Sequence, residues 1–185
     1  SSPAGLHRMA YTEWGDPQNP RALVCVHGLT RCGRDFDFLA ASLASEYRVI
    51  CPDVAGRGQS DWLADKTIYG IQQYVDDMVT LLARLDTDAV SWLGTSMGGL
   101  IGMVLAAQEH TPVSRLILND CGPVLKAAAL ARIGEYVGKD PRFATIEEAE
   151  RFVRQTSFTF GQLSDAQWRH LTIHVMRTAA DGMIE

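Results

Sequence analysis

Gly94-Thr95-Ser96-Met97-Gly98-Gly99 is the stretch on which the reading of this chain turns. It follows a short apolar run, Ala89 to Leu93, and opens a segment of helical character, Met97 to Gln108. The G-x-S-x-G pattern alone arises by chance in on the order of one chain in fifteen of this length. Between a buried strand and a helix it has a mechanical meaning. The turn forces the central serine into a strained backbone conformation and exposes its hydroxyl at the carboxyl end of the strand. Gly94 and Gly98 keep side chains out of the tight crossing, and Gly99 lets the helix lie close to the sheet. Ser96 is therefore the candidate nucleophile.

Outward from this turn the chain alternates between two periodicities. Arg8 to Trp14 alternates polar and apolar residues before the turn residues Gly-Asp-Pro. Ala22 to Val26 is a short apolar run, as expected of a strand covered on both faces, Ala89 to Leu93 is another buried run, and Tyr47 to Cys51 and Val113 to Leu118 are two further short strand-like runs. Phe36 to Leu43 has helical spacing, and Tyr74 to Leu85 predicts a helix burying Val75, Met78, Val79, Leu82 and Leu85. Strands alternating with helices predict an α/β fold with a mostly parallel sheet flanked by helices. After Pro123 the pattern is helical to the end. Thr145-Ile-Glu-Glu148 and Ser164-Asp-Ala-Gln167 have capping-box spacing and predict two helix starts. The expected organisation is a core over 1–123 and a helical subdomain, in part, over 124–185.

Two further segments lie at the ends of predicted strands. His27-Gly28-Leu29-Thr30 follows Ala22 to Val26, and Asp53-Val-Ala-Gly56-Arg-Gly58-Gln-Ser60 follows Tyr47 to Cys51. The glycine spacing of the second is not that of a phosphate-binding G-x-G-x-x-G loop. In order and spacing, these segments, the serine turn and Leu116-Ile-Leu-Asn-Asp120 resemble the α/β-hydrolase fold superfamily. The nearest branch is that of serine esterases, carbon–carbon hydrolases and lactonases with a helical cap. The resemblance spans about residues 7–123; residues 124–185 resemble a cap only in general character. It implies an oxyanion hole formed by the backbone N–H groups of Leu29 and Met97, two donors aimed at the oxygen that becomes negative. It implies that His27 is a neutral residue bonding loop backbone and that Asp53 shapes its loop. In the cap, Phe152, Phe158, Phe160 and Trp168 are expected to wall an apolar pocket or fill a core.

A serine hydroxyl needs a base to take its proton and an acid to orient that base. In the family the order is serine, acid, histidine. Of the five histidines, His7 precedes the sheet, His27 belongs to the oxyanion loop and His110 ends the elbow helix. His170 and His174 share a face of one predicted helix but lack the glutamate of H-E-x-x-H, so no metal site is expected. Asp120, at the end of the strand after the elbow helix, is an alternative acid position. The usual acid and the histidine are expected beyond Glu185. A sheet ending near Asn119 would leave a long open edge. The expectation is thus of the front part of a longer polypeptide, inactive by itself for want of the histidine.

Composition narrows the rest. The chain has 46% hydrophobic residues, 21% charged residues and a formal net charge of -5. A mildly acidic chain without blocks of like charge offers nothing to nucleic acid or an anionic membrane. No stretch approaches the ~20 apolar residues of a membrane span, and the first residues lack a leader signature. The four cysteines form no C-x-x-C pair, as expected of reduced thiols in a cytoplasmic protein. The expected function is acyl transfer to water from a small-molecule ester, with no cofactor. A lactone or carbon–carbon bond hydrolase, or a ligand-binding protein on the same scaffold, are the alternatives.

Overall fold

A computed structural model describes residues 2, 5–125, 127–135, 137–139 and 141–185. Ser1, Pro3 and Ala4, part of the start read above, lie outside the described residues, as do Lys126, Tyr136 and Asp140 of the 124–185 segment. The chain divides into two compact units, 1–125 and 126–185.

The first unit is built on a five-stranded sheet: β1 (Tyr11–Trp14), β2 (Ala22–Val26), β3 (Arg48–Pro52), β4 (Val90–Thr95) and β5 (Val113–Asn119). Their spatial order is β1-β3-β2-β4-β5. β1 runs antiparallel to β3, pairing Tyr11 with Pro52 and Trp14 with Val49. The other pairs are parallel, with Ala22 beside Arg48 on one side and beside Val90 on the other. Among its described residues the unit adds three α-helices, α1 (Asp37–Leu43), α2 (Ile71–Leu82) and α3 (Met97–Ala106), and two short 3-10 turns, Gly33–Phe36 and Lys66–Ile68.

Successive residues of a strand point to opposite faces, and the core follows that rule. Val24, Val26, Ile50 and Trp92 pack with Val75, Met78 and Leu81 of α2 and with Ile101 and Leu105 of α3. Leu23, Cys25, Val49 and Cys51, one step along their strands, pack on the other face with Phe36 and with Ala40 of α1. β2 therefore buries all five residues, and its unbroken apolar run follows from cover on both faces. Val79 departs from the expectation. It is exposed, because the buried stripe of α2 runs through Gln73, Tyr74, Asp77 and Met78 instead. β5 lies at the edge where the open end of the sheet was expected: among the described residues it pairs only with β4, and Ile117 is 51% and Leu118 36% exposed.

The parallel order reverses direction once. From β2 the chain moves outward to β3, then crosses back to place β4 on the far side of β2. The loops leaving the carboxyl ends of β2 and β4 therefore diverge, and such a switch point opens a crevice suited to a ligand. His27-Gly28-Leu29 leaves β2 at that point, and Ser96 leaves β4.

The second unit contains α4 (Ala127–Gly134), α5 (Ile146–Thr156) and α6 (Asp165–Val175). Val153, Trp168 and Leu171 form its small core, with Leu163, Val175 and Met176 around them. Ser164 caps α6 with the full reciprocal box. Thr145 caps α5 through the Glu148 N–H, while the Glu148 carboxylate turns to the Ala144 N–H at 2.9 Å. The end of the chain is not helical, contrary to expectation. Arg177 and Glu185 exchange backbone hydrogen bonds of 2.8 and 2.9 Å, and Ile184 bridges to Phe143. Among the described residues no helix is long and apolar enough to cross a membrane.

Candidate active site

Ser96 sits between the last residue of β4 and the first of α3 with φ 49° and ψ −110°. A side chain at positive φ outside the left-handed helical well costs on the order of 1–3 kcal/mol, and it persists only where its surroundings over-determine it. Those surroundings are specific. The Ser96 N–H donates to the Asn119 carbonyl of β5 at 2.8 Å. The Trp92 indole, wholly buried, donates to the Gly98 carbonyl at 3.0 Å. Both glycines of the pattern are sterically required. A β-carbon at Gly94 would run into the Gly98 backbone, and one at Gly98 into the Val26 carbonyl. Gly99 leaves room for the Cys121 sulfur, and Gly102 for the Trp92 ring.

The loop after β2 comes to lie beside this turn. A β-carbon on Gly28 would stand 3.8 Å from the Ser96 β-carbon. Among the described residues neither the Leu29 N–H nor the Met97 N–H finds an acceptor. Met97 is the first residue of α3, where backbone N–H groups have no partner within the helix and carry its positive end. The two N–H groups named from the sequence, one in the loop after β2 and one at the start of α3, are thus uncommitted among the described residues.

His27 is held as a neutral ring. The Val54 N–H donates to its Nε2 at 2.9 Å, so the proton resides on Nδ1, which donates to the Gly28 carbonyl at 2.7 Å. Complete burial lowers its pKa below the ordinary histidine value. Asp53 serves its loop. It accepts from the Gly33 N–H at 2.7 Å and the Gln59 N–H at 2.8 Å, and its carboxylate fills the space beside Gly58. Ser60 closes the loop by donating to the Asp53 carbonyl at 2.6 Å.

No base is brought to Ser96 among the described residues of the first unit. Both nitrogens of His27 are engaged, His7 pairs with Asp77 at 2.9 Å, and His110 is exposed beyond the end of α3. Asp120 follows β5 at φ 53°, exposed, one residue after the carbonyl that holds the Ser96 N–H. In the second unit, His170 and His174 stack edge to face on α6 with ring centres 4.4 Å apart. Trp168 is core there, while Phe158 and Phe160 are exposed.

Three residues that brace the turn were not singled out for it from the sequence: Trp92, Asn119 and Cys121. Trp92 had a signal, being a large ring with a hydrogen-bond donor inside an otherwise small and aliphatic strand. Cys121 lies against the elbow, and burial raises its thiol pKa. The other three cysteines are buried, and all four are free. Burial pushes the Cys32 thiol up to about 12.

The strained serine thus stands between two sterically required glycines, with the loop after β2 close beside it. The α/β-hydrolase fold family model matches residues 21–162. The chain belongs to the α/β-hydrolase fold family. It is 58% identical over 184 residues to a 3-hydroxybutyrate-oligomer hydrolase from Cupriavidus necator, covering 98% of this chain and 63% of that protein. A structure from Rickettsia typhi superposes with a TM-score of 0.93 at 35% identity, covering 97% of this chain and 63% of that one. An α/β hydrolase from Novosphingobium aromaticivorans superposes with a TM-score of 0.86 at 36% identity, covering 96% and 63%. The chain therefore spans a little under two thirds of the length of these relatives.

Proposed function

We propose that this chain carries the nucleophile and oxyanion hole of a serine hydrolase that cleaves carboxylic esters, and that its substrates are oligomeric esters of a short hydroxy acid. The observation that carries the reading is the strained backbone of Ser96, held beside two uncommitted N–H groups. Strain of this kind has no packing benefit at a half-buried serine, and it presents the hydroxyl to an incoming carbonyl. The substrate class rests on the 58% identical relative, which is named for hydrolysis of 3-hydroxybutyrate oligomers.

In this mechanism the Ser96 oxygen attacks the ester carbonyl and its proton passes to a base. The carbonyl oxygen gathers negative charge between the Leu29 and Met97 N–H groups. Loss of one such donor typically costs ~3 kcal/mol of transition-state stabilisation. The tetrahedral intermediate then expels the alcohol end of the oligomer, which leaves protonated. Water attacks the acyl-serine and releases the acid. The reading assigns the base, and an acid to orient it, to the part of the relatives' length that this chain does not span. Asp120 is the acid candidate within the chain. No cofactor enters any step.

The test is release of free 3-hydroxybutyrate from its linear dimer and trimer by the full natural protein, with Ser96→Ala as control. Turnover by the natural protein and none by the variant is the expected result. Turnover unchanged in Ser96→Ala would remove the serine from the mechanism. Turnover of simple esters but not of these oligomers would remove the substrate class and leave the esterase.

A further inference from the structure

We propose that Arg57 is a positioning residue for the oxyanion hole: its guanidinium holds the peptide plane that follows Leu29, while His27 holds the plane that carries the Leu29 N–H, and the two together restrict that N–H to one direction. The inference rests on the serine-hydrolase reading above. Arg57 stands in the loop after β3, where its backbone takes part in the turns that Asp53 and Ser60 close and its side chain reaches out of the loop to Leu29. Its Nε donates to the Leu29 carbonyl at 3.0 Å. Its Nη1 donates to the Ala55 carbonyl at 2.8 Å and to the Tyr74 hydroxyl at 2.9 Å.

The guanidinium is itself held in place. Its carbon lies 5.1 Å from the ring centre of Tyr74 and 5.8 Å from that of Tyr69. A planar fork seated between two aromatic rings loses little freedom on bonding, so its direction is well defined. The loop carrying it is equally constrained. Gly56 and Gly58 flank Arg57 at φ 80° and 51°, and a β-carbon on Gly56 would press on the Tyr69 ring at 2.7 Å.

Leu29 is therefore gripped on both sides. His27 donates to the Gly28 carbonyl, which belongs to the same peptide plane as the Leu29 N–H. Arg57 donates to the Leu29 carbonyl, which belongs to the next plane. With both planes held, rotation about the Leu29 backbone is restricted and the N–H keeps one direction. Arg57 also brings a positive charge to the loop that carries Leu29. His27 supplies orientation without charge, and Arg57 supplies both.

The experiment compares Arg57→Met, Arg57→Lys and Tyr74→Phe in the full natural protein, on a short-chain p-nitrophenyl ester. A misdirected donor weakens the transition state more than the bound ester, so kcat should fall while KM holds. Arg57→Met should lose about 10- to 100-fold in kcat, the scale of a small misplacement in an active site. Arg57→Lys, which keeps the charge and can reach one carbonyl, should recover part of the loss, and Tyr74→Phe should lose less than Arg57→Met. The inhibition constant of a trifluoromethyl ketone, which forms an oxyanion on the serine, should rise in step with the loss of kcat/KM. A merely structural arginine would lower Tm in Arg57→Met and leave its kcat and ketone inhibition at natural values, and that result would overturn the proposal. If the natural protein neither turns over the ester nor binds the ketone, the hydrolase reading fails first.

Discussion

The amide of Ser96 donates a hydrogen bond of 2.8 Å to the carbonyl of Asn119, so the strained turn after β4 is fastened to the end of β5. The bond joins two parallel strands one step beyond their ladder, which ends with Thr95 beside Asn119. The elbow thus continues the sheet, and its strain is held by the sheet's own cooperativity. Disturbing the contacts that brace this turn should cost stability and activity together.

Gly98→Ala is the sharpest case. The added methyl meets the Val26 carbonyl, and the carbonyl carbon at 2.6 Å, both in a buried strand that cannot give way. A loss of about 3 kcal/mol or more is expected, at the upper end of overpacking costs. Chemical denaturation of the full protein measures it. A loss below about 1 kcal/mol would mean that the helix can lift from β2.

Asp53→Asn tests the loop on which Arg57 sits. The carboxylate accepts from two backbone N–H groups, at Gly33 and Gln59, and an amide can accept only one while turning a donor toward the other. A destabilisation of about 2–4 kcal/mol is expected from a buried charge-assisted pair of bonds. Denaturation midpoints against Asp65→Asn, where an exposed carboxylate caps one turn, give the comparison.

His27 gives the pH dependence. Burial lowers its folded pKa below the ordinary 6.5, so below that pH the unfolded chain binds a proton that the fold refuses. Its contribution is complete above pH 6.5 and is lost as the pH falls through that value, with a slope approaching ~1.4 kcal/mol per pH unit. Unfolding free energies at pH 8 and pH 5 should show the advantage of the natural protein over His27→Gln shrinking on acidification. An advantage that does not change with pH would contradict the neutral assignment.

In the second unit, Ser164→Ala removes a complete capping box and Thr145→Ala only one arm of one. About 1 kcal/mol is expected for Ser164 and less for Thr145. Amide exchange in the first turn of each helix reads the two locally.

Much of this architecture was legible because steric demands leave few choices. The glycines at 94 and 98 are where any side chain collides, so their spacing announced the turn. Ala22 to Val26 was readable as a doubly covered strand because all its residues are apolar and all are buried. What stayed hidden is what composition cannot encode. Val79 fits a helical stripe, but neighbours decide which side of the stripe is covered. Residues 177–185 carry no helix breaker apart from Gly182, and their bridges to Phe143 and within the turn are long-range facts. Arg57 was invisible for the same reason, since its bond to Leu29 joins residues 28 positions apart.

The central claim is that Ser96 is the nucleophile, and the most direct measurement is the intact mass of the full natural protein after treatment with a fluorophosphonate. One adduct, mapped by peptide sequencing to Ser96 and lost in Ser96→Ala, is the predicted result. A folded protein that takes up no adduct, or takes it up at another residue, would contradict the account.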